Sequence, residues 1–162
     1  MSSFPGTFPA LPGIRCDRFE EVEGAEQFFL SHCHMDHMKG NLSSVFNVTV
    51  LHSVRVLGLE GLGSHLASVS RSKLVCTTIS TNFVVQKYSD MIIPFPLEIG
   101  LGKPLTFSIQ NVSQPYTLRV TAMDANHCPG SVMFLFEKLS AGGEVELRIL
   151  YTGDFRSVVS SP

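Results

Sequence analysis

Short stretches of alternating or continuous apolar residues dominate this chain, and they predict strands more often than helices. Alternation of apolar and polar positions, typical of half-buried strands, covers residues 105–109 and 117–123. Short apolar runs predict further strands at 14–17, 28–30, 73–77, 132–136 and 145–151. A hydroxyl residue ahead of an apolar stretch predicts one helix over 78–88. Residues 41–72 have no sustained period, and we expect them to be the least ordered part.

Glycine and proline residues divide these elements. A turn is predicted at 141–143, between two strands, and a loop and hairpin region at 94–104. The strand-rich pattern alone leaves an all-β fold open. The α/β (α+β) class that we predict rests on the resemblance described below.

Composition fits one globular domain. The chain has 162 residues, of which 44% are hydrophobic and 16% charged, which is too apolar for intrinsic disorder. Its formal net charge is -2, so any nucleic-acid partner must be held by a local patch rather than by a global basic excess. Four cysteines without a C-x-x-C pair predict reduced thiols. With neither a membrane-spanning apolar stretch nor a secretory signal, we expect no membrane partner and a location inside the cell.

One segment concentrates metal-binding side chains. His32, His34, Asp36 and His37 lie within six residues, directly after the apolar strand predicted at 28–30. Residues two apart in an extended chain point to the same side, so His32 and His34 can contact one ion. Imidazole nitrogen and carboxylate oxygen are usual zinc ligands, and a His/Asp set indicates a catalytic rather than a structural site.

Two distant segments repeat this chemistry at strand ends. His127 precedes a Pro-Gly turn, and Asp154 follows the last predicted strand. Either residue alone would be ordinary. Because ligands at several strand ends can converge on one edge of a sheet, we predict that they join the first segment in one metal site.

The order H-x-H-x-D-H, then a lone histidine, then Gly-Asp, resembles the metallo-β-lactamase superfamily. Within it, the segments 29–34, 127–136 and 151–156 resemble the DNA-repair nucleases of the β-CASP branch. The close resemblance covers about residues 13–40 and 117–156, whereas 73–110 match loosely and 41–72 poorly. It implies the N-terminal portion of an αββα sandwich, with residues 1–162 as a partial metallo-β-lactamase domain and the β-CASP domain absent from this chain.

The resemblance also implies a site. The metal ligands would be His32, His34, Asp36, His37, His127 and Asp154. The histidines other than His37 would hold a first zinc ion, Asp36 and His37 would contribute to a second, and Asp154 would bridge the two. Asp36, His37 and Asp17 would be the catalytic residues. Asp17 would hold a ligand imidazole in its tautomer, the alternative being that it is an ordinary turn carboxylate.

The implied function is a zinc-dependent DNA nuclease, cutting as a 5′-exonuclease and as an endonuclease on hairpins and overhangs. It would act in the nucleus on damaged or single-stranded DNA ends, in double-strand-break repair by end joining, recombination and cross-link repair, with end-joining kinases as partners. The chain lacks the family's further histidine ligand, so we expect the second zinc site to be incomplete. We therefore expect these 162 residues alone to bind zinc without appreciable cleavage.

Other functions stay open on the sequence. The main alternative is a catalytically inactive zinc-binding fragment or short isoform acting through partners. The RNA-processing branch of the same superfamily shares the metal motif, and the segment 127–131 argues against it. The same segment argues against a small-molecule hydrolase.

Overall fold

Two four-stranded sheets and one helix form most of the described structure. This is a computed structural model, and it describes residues 4–19, 25–40, 74–87 and 96–157. The strands are β1 (Ile14–Cys16), β2 (Arg18–Phe19), β3 (Gln27–Phe29), β4 (Lys39–Gly40), β5 (Leu74–Cys76), β6 (Leu97–Glu98), β7 (Leu105–Ile109), β8 (Tyr116–Asp124), β9 (Val132–Leu139) and β10 (Val145–Tyr151). Helix α1 spans Thr78–Lys87. Strands β2 and β4 pair separately in a short parallel ladder.

The first sheet is parallel, in the order β1-β3-β5-β6. Phe29 stands opposite Cys16 on one side and Val75 on the other. Helix α1 begins directly after β5, where Thr77 Oγ1 accepts a hydrogen bond from the Ser80 N–H at 3.3 Å and so caps the helix. Its Val84 is buried with the outer side chains of this sheet, which places the helix on that face.

The second sheet is an antiparallel meander in the order β10-β9-β8-β7. Alternation along β8 and β9 buries one face, including Leu118, Val120, Phe134 and Phe136, against the parallel sheet. Phe29 fills the space between the sheets, with its ring centroid 5.0 Å from that of Phe136 in an edge-to-face contact. The layers are therefore antiparallel sheet, parallel sheet and helix.

The predicted α/β (α+β) class is confirmed, and these layers agree with part of an αββα sandwich. Every strand predicted within the described ranges is present, β8 and β9 being longer than predicted. Strands β2, β4 and β6 were not predicted, because two residues are too few to establish a period. The expectation for 41–72 falls outside the described residues. Within the described ranges, no helix combines the length and apolar character needed to cross a membrane.

Candidate metal centre

The four histidines of the described ranges lie together where strands of both sheets end. His32, His34 and His37 follow β3, whereas His127 comes from the connection between β8 and β9. The His32 ring centroid is 4.1 Å from that of His37 and 5.1 Å from that of His127. Asp154, three residues beyond the end of β10, completes the cluster. The site thus depends on three segments that are far apart in sequence.

One set of four side chains has the dimensions of a single metal site. The ligand atoms of His32, His34, His127 and Asp154 all lie within 4.8 Å of one another. His127 Nε2 is 3.2 Å from His34 Nδ1, and 3.6 Å from Asp154 Oδ2. Tetrahedral ligands at zinc–nitrogen distances of about 2.0–2.1 Å would be about 3.4 Å apart. These atoms therefore need little movement to surround one zinc ion.

Asp154 faces two groups of histidines at once. Its Oδ2 lies 3.8 Å from His32 Nε2, whereas its Oδ1 lies 3.5 Å from His37 Nε2. Asp36 approaches the same His37 Nε2 with Oδ2 at 3.8 Å. A carboxylate with one oxygen toward each group has the geometry of a bridging ligand, so the structure brings together all six residues predicted to bind metal.

Two buried nitrogens support the fit to metal ions. His32 Nε2 and His37 Nε2 are inaccessible to solvent and have no hydrogen-bond partner. Burying a polar nitrogen without a partner costs free energy, so such atoms in a folded protein call for an explanation. Both atoms face Asp154, and a metal ion between them and that carboxylate would satisfy them.

Asp17 is buried beside these histidines but is already fully engaged by hydrogen-bond donors. Its Oδ1 accepts from the Ser31 N–H at 2.8 Å. Its Oδ2 accepts from Ser31 Oγ at 2.5 Å, His37 Nδ1 at 2.7 Å and Tyr151 Oη at 2.8 Å. Its φ of 53° is a conformation that aspartate tolerates better than most residues. Asp17 also forms a buried group with His32 and His37 that could hold an ion. Because Asp17 contacts Nδ1 of His37 and leaves Nε2 open, its position suits orienting the imidazole better than binding a metal ion.

The pKa values of the two buried histidines move in opposite directions. Burial and the nearby charge of His37 lower the pKa of His32 to about 4, which keeps His32 in the neutral form that a metal ligand requires. The hydrogen bond to Asp17 raises the pKa of His37. Asp17 therefore stabilises a proton on the Nδ1 side of His37, away from the candidate metal positions.

A tight turn fixes His127. Ser131 Oγ accepts hydrogen bonds from the backbone N–H groups of His127 at 3.2 Å and Cys128 at 3.1 Å. Gly130 has a φ of 81°, and a Cβ there would lie 2.9 Å from Ile79. Thr77 Oγ1 donates to the Gly130 carbonyl at 2.9 Å, so the turn is tied to the start of helix α1.

Ser31 and Tyr151 belong to the site's hydrogen-bond network, and sequence analysis gave neither a role. Both are hydroxyl residues at strand ends that flank predicted ligands, which was the signal available in the sequence.

Burial raises the pKa of the Cys128 thiol, which disfavours the thiolate form needed for a nucleophile.

The fold and the site together define an α/β protein with a candidate His/Asp metal centre between its two sheets. No family model matches the chain. Among curated relatives, the chain is 35% identical to zebrafish Artemis over 98% of its own length and 22% of that protein. It is 34% identical to human Artemis over 96% of its length and 20% of that protein.

A third relative carries a functional name. Chicken 5′ exonuclease Apollo is 34% identical over 82% of this chain and 21% of the relative. The chain spans about one fifth of the length of these relatives. The predicted resemblance to DNA-repair nucleases is confirmed: the chain is Artemis-like over nearly all of its length.

Proposed function

We propose that these residues form the metal centre of a zinc-dependent DNA phosphodiesterase of the Artemis type. The proposal is carried by one observation: Asp154 directs one oxygen toward His37 and the other toward His32 and His127. Asp36 and His37 would serve the second ion, and His34 would complete the first. The buried, unpartnered Nε2 atoms of His32 and His37 support two adjacent ions.

The charges of the site support a metal-dependent reaction on a phosphodiester. The Asp36 and Asp154 side chains are 40% and 49% exposed, so both carboxylates face the surface that a substrate would approach. Two uncompensated carboxylates would repel a phosphate group. When bound, zinc ions would neutralise this charge, polarise the phosphate oxygens and lower the pKa of a coordinated water. Asp17 meanwhile keeps the His37 proton at Nδ1, so that Nε2 stays available.

DNA is the substrate that the relatives favour. The name of Apollo specifies a 5′ exonuclease, and by similarity we propose 5′-exonuclease activity together with endonuclease activity on hairpins and overhangs. We further propose that the protein acts in double-strand-break and cross-link repair in the nucleus, on damaged or single-stranded ends, with end-joining kinases as partners. Each of these assignments is part of the proposal.

A second candidate function is zinc binding without catalysis. Within the described ranges, the second metal position has Asp36, His37 and a share of Asp154, which is one ligand fewer than the first position gathers. Weak occupancy of that position would slow a reaction that relies on two ions. Such a chain would act through partner proteins.

Two measurements separate these functions. The first is the zinc content and zinc affinity of the purified chain, compared with those of His34→Ala. The second is cleavage of 5′-phosphorylated single-stranded DNA by a chimera in which this chain replaces the aligned segment of zebrafish Artemis, with RNA of the same sequence as the alternative substrate.

The nuclease proposal predicts zinc binding by the chain and DNA cleavage by the chimera, both lost with His34→Ala. Zinc binding with a folded chimera that does not cut DNA would instead establish the non-catalytic function. A chain that binds no zinc would overturn both, and preferential cutting of RNA would favour the RNA-processing branch. Thermal unfolding of each chimera shows whether it has folded.

A further inference from the structure

The Tyr151 hydroxyl lies behind the metal centre and touches the carboxylate that orients its histidines. Tyr151 Oη donates to Asp17 Oδ2 at 2.8 Å, and only 9% of the residue is exposed. Burial and the Asp17 charge raise the pKa of Tyr151 above its usual range, so the phenol keeps its proton and acts as the donor. Phe4 and Phe8 hold the ring, with centroids 5.1 and 6.0 Å away.

Asp17 connects the histidines of both candidate metal positions. It accepts directly from His37 Nδ1 at 2.7 Å. It reaches His32 through Ser31, whose Oγ lies 2.5 Å from Asp17 Oδ2 and 2.9 Å from His32 Nδ1. One carboxylate therefore supports a ligand assigned to each ion.

The order of protons along this path follows from the donors available. An ionised carboxylate only accepts, so the single Ser31 hydroxyl proton must point at Asp17. Ser31 Oγ can then only accept from His32, which places the His32 proton on Nδ1. The His37 contact with Asp17 places its proton on Nδ1 as well, so both histidines leave a bare Nε2, the atom that is buried and unpartnered in each.

We propose that Tyr151 is a positioning residue for the metal centre. Through Asp17, and through Ser31 on the His32 side, its hydroxyl holds both imidazoles as Nδ1–H tautomers with Nε2 directed at the metal. Three donors share Asp17 Oδ2, and removal of the phenol donor would let the carboxylate rotate away from the arrangement that serves His32 and His37 together. The inference rests on the proposed metal-binding function and adds to it a residue that is not among the predicted ligands.

The test compares two tyrosine variants of the chain. Tyr151→Phe removes the hydroxyl and keeps the ring between Phe4 and Phe8. Tyr116→Phe is the matched control, because Tyr116 is also buried and donates its hydroxyl at 2.7 Å, but to the backbone carbonyl of Pro12 outside this network. Ser31→Ala is a second network variant, which cuts the path to His32 and keeps that to His37.

Two readouts are measured on each variant. Zinc affinity is obtained by competition with a chromogenic chelator, and imidazole tautomers of the metal-free chain are obtained from long-range ¹⁵N–¹H NMR correlations. We expect Tyr151→Phe to weaken zinc binding by about 10- to 100-fold and to mix the tautomers of His32 and His37. Tyr116→Phe should change neither, and Ser31→Ala should alter the tautomer of His32 alone.

Equal zinc affinity and equal tautomers in Tyr151→Phe and Tyr116→Phe would overturn the inference. If the unaltered chain binds no zinc, the proposed function fails, while the metal-free NMR comparison still decides whether Tyr151 sets the tautomers. Should Tyr151→Phe not fold, the Ser31→Ala spectrum decides: an unchanged His32 tautomer would overturn the proton order on which the inference depends.

Discussion

Gly153 passes so close to Ser31 that a Cβ at residue 153 would lie 2.9 Å from Ser31 Oγ. Its φ of 51° is also one that side chains of L-residues rarely adopt. The absence of a side chain at this one position lets the chain turn from the end of β10 over the hydroxyl of Ser31. That turn places Asp154 next to the histidines, while the Tyr151 hydroxyl contacts Asp17 behind them.

Gly153→Ala is therefore expected to destabilise the protein by more than its backbone conformation alone costs. The matched control is Gly143→Ala, which has a φ of 84° but no atom within 4 Å of the added Cβ. The control should lose about 1–2 kcal/mol, the usual cost of the left-handed conformation, and Gly153→Ala clearly more. Urea unfolding measures both free energies. Equal losses would show that the contact with Ser31 relaxes freely.

Removal of His127 should abolish tight zinc binding. Its Nε2 lies 3.2 Å from His34 Nδ1 and 3.6 Å from Asp154 Oδ2, in the centre of the first ligand set. We expect His127→Ala to lower zinc affinity by more than the roughly 10- to 100-fold typical of losing an outer hydrogen-bond partner. Chelator competition gives the affinity. Cys128→Ser, altered at the adjacent residue, should bind like the unaltered chain, and a comparable loss there would reassign the ligand to sulfur.

Glu137 should make stability depend on pH in the acidic range. Its carboxylate accepts from Arg119 Nε at 2.7 Å and Arg148 Nε at 2.9 Å, and the hydrogen bond from Arg119 leads the causes that hold its pKa below the ordinary value of 4.5. A carboxyl whose folded pKa is depressed stabilises the fold above its unfolded pKa, and this contribution disappears as the pH falls through the folded pKa.

Glu137→Gln should therefore be less stable than the unaltered chain near pH 7, with the difference shrinking as the pH falls below 4.5. Urea midpoints from pH 7 down to 3 provide the measurement. The control is Glu146→Gln on the neighbouring strand, where the carboxylate is half exposed and 3.9 Å from Lys138. If the loss of stability in Glu137→Gln stayed constant with pH, the negative charge of Glu137 could not be its cause.

Truncation of Phe29 should destabilise the fold far more than truncation of a half-exposed aromatic residue. It is fully buried between the sheets, with edge-to-face contacts to Phe107, Phe134 and Phe136. Phe29→Ala is expected to cost about 3–5 kcal/mol, as large-to-small changes in cores do. Phe83→Ala on helix α1 removes a ring that is 50% exposed and should cost much less. Similar losses in chemical unfolding would contradict the two-sheet core described above.

The sequence determined the long strands, the helix and the identity of the candidate metal ligands. Alternation over β7 and β8 is visible without a structure, because the two faces of a half-buried strand differ in polarity. The cluster of His32, His34, Asp36 and His37 is equally plain, because neighbouring ligands form a local motif. Strands β2, β4 and β6 could not be predicted, since their two residues show no period and exist only through their partners.

Tertiary structure alone decided how the ligands are arranged and oriented. His127 and Asp154 reach the first cluster because β9 and β10 pair in antiparallel register, which places the end of β10 beside the start of β9. The path from Tyr151 through Asp17 and Ser31 joins residues as far as 134 positions apart, so no local pattern could reveal it. The sequence specifies which side chains are present, but hydrogen bonds between distant segments form only when the sheets pack. Those hydrogen-bond partners decide which imidazole nitrogen carries the proton.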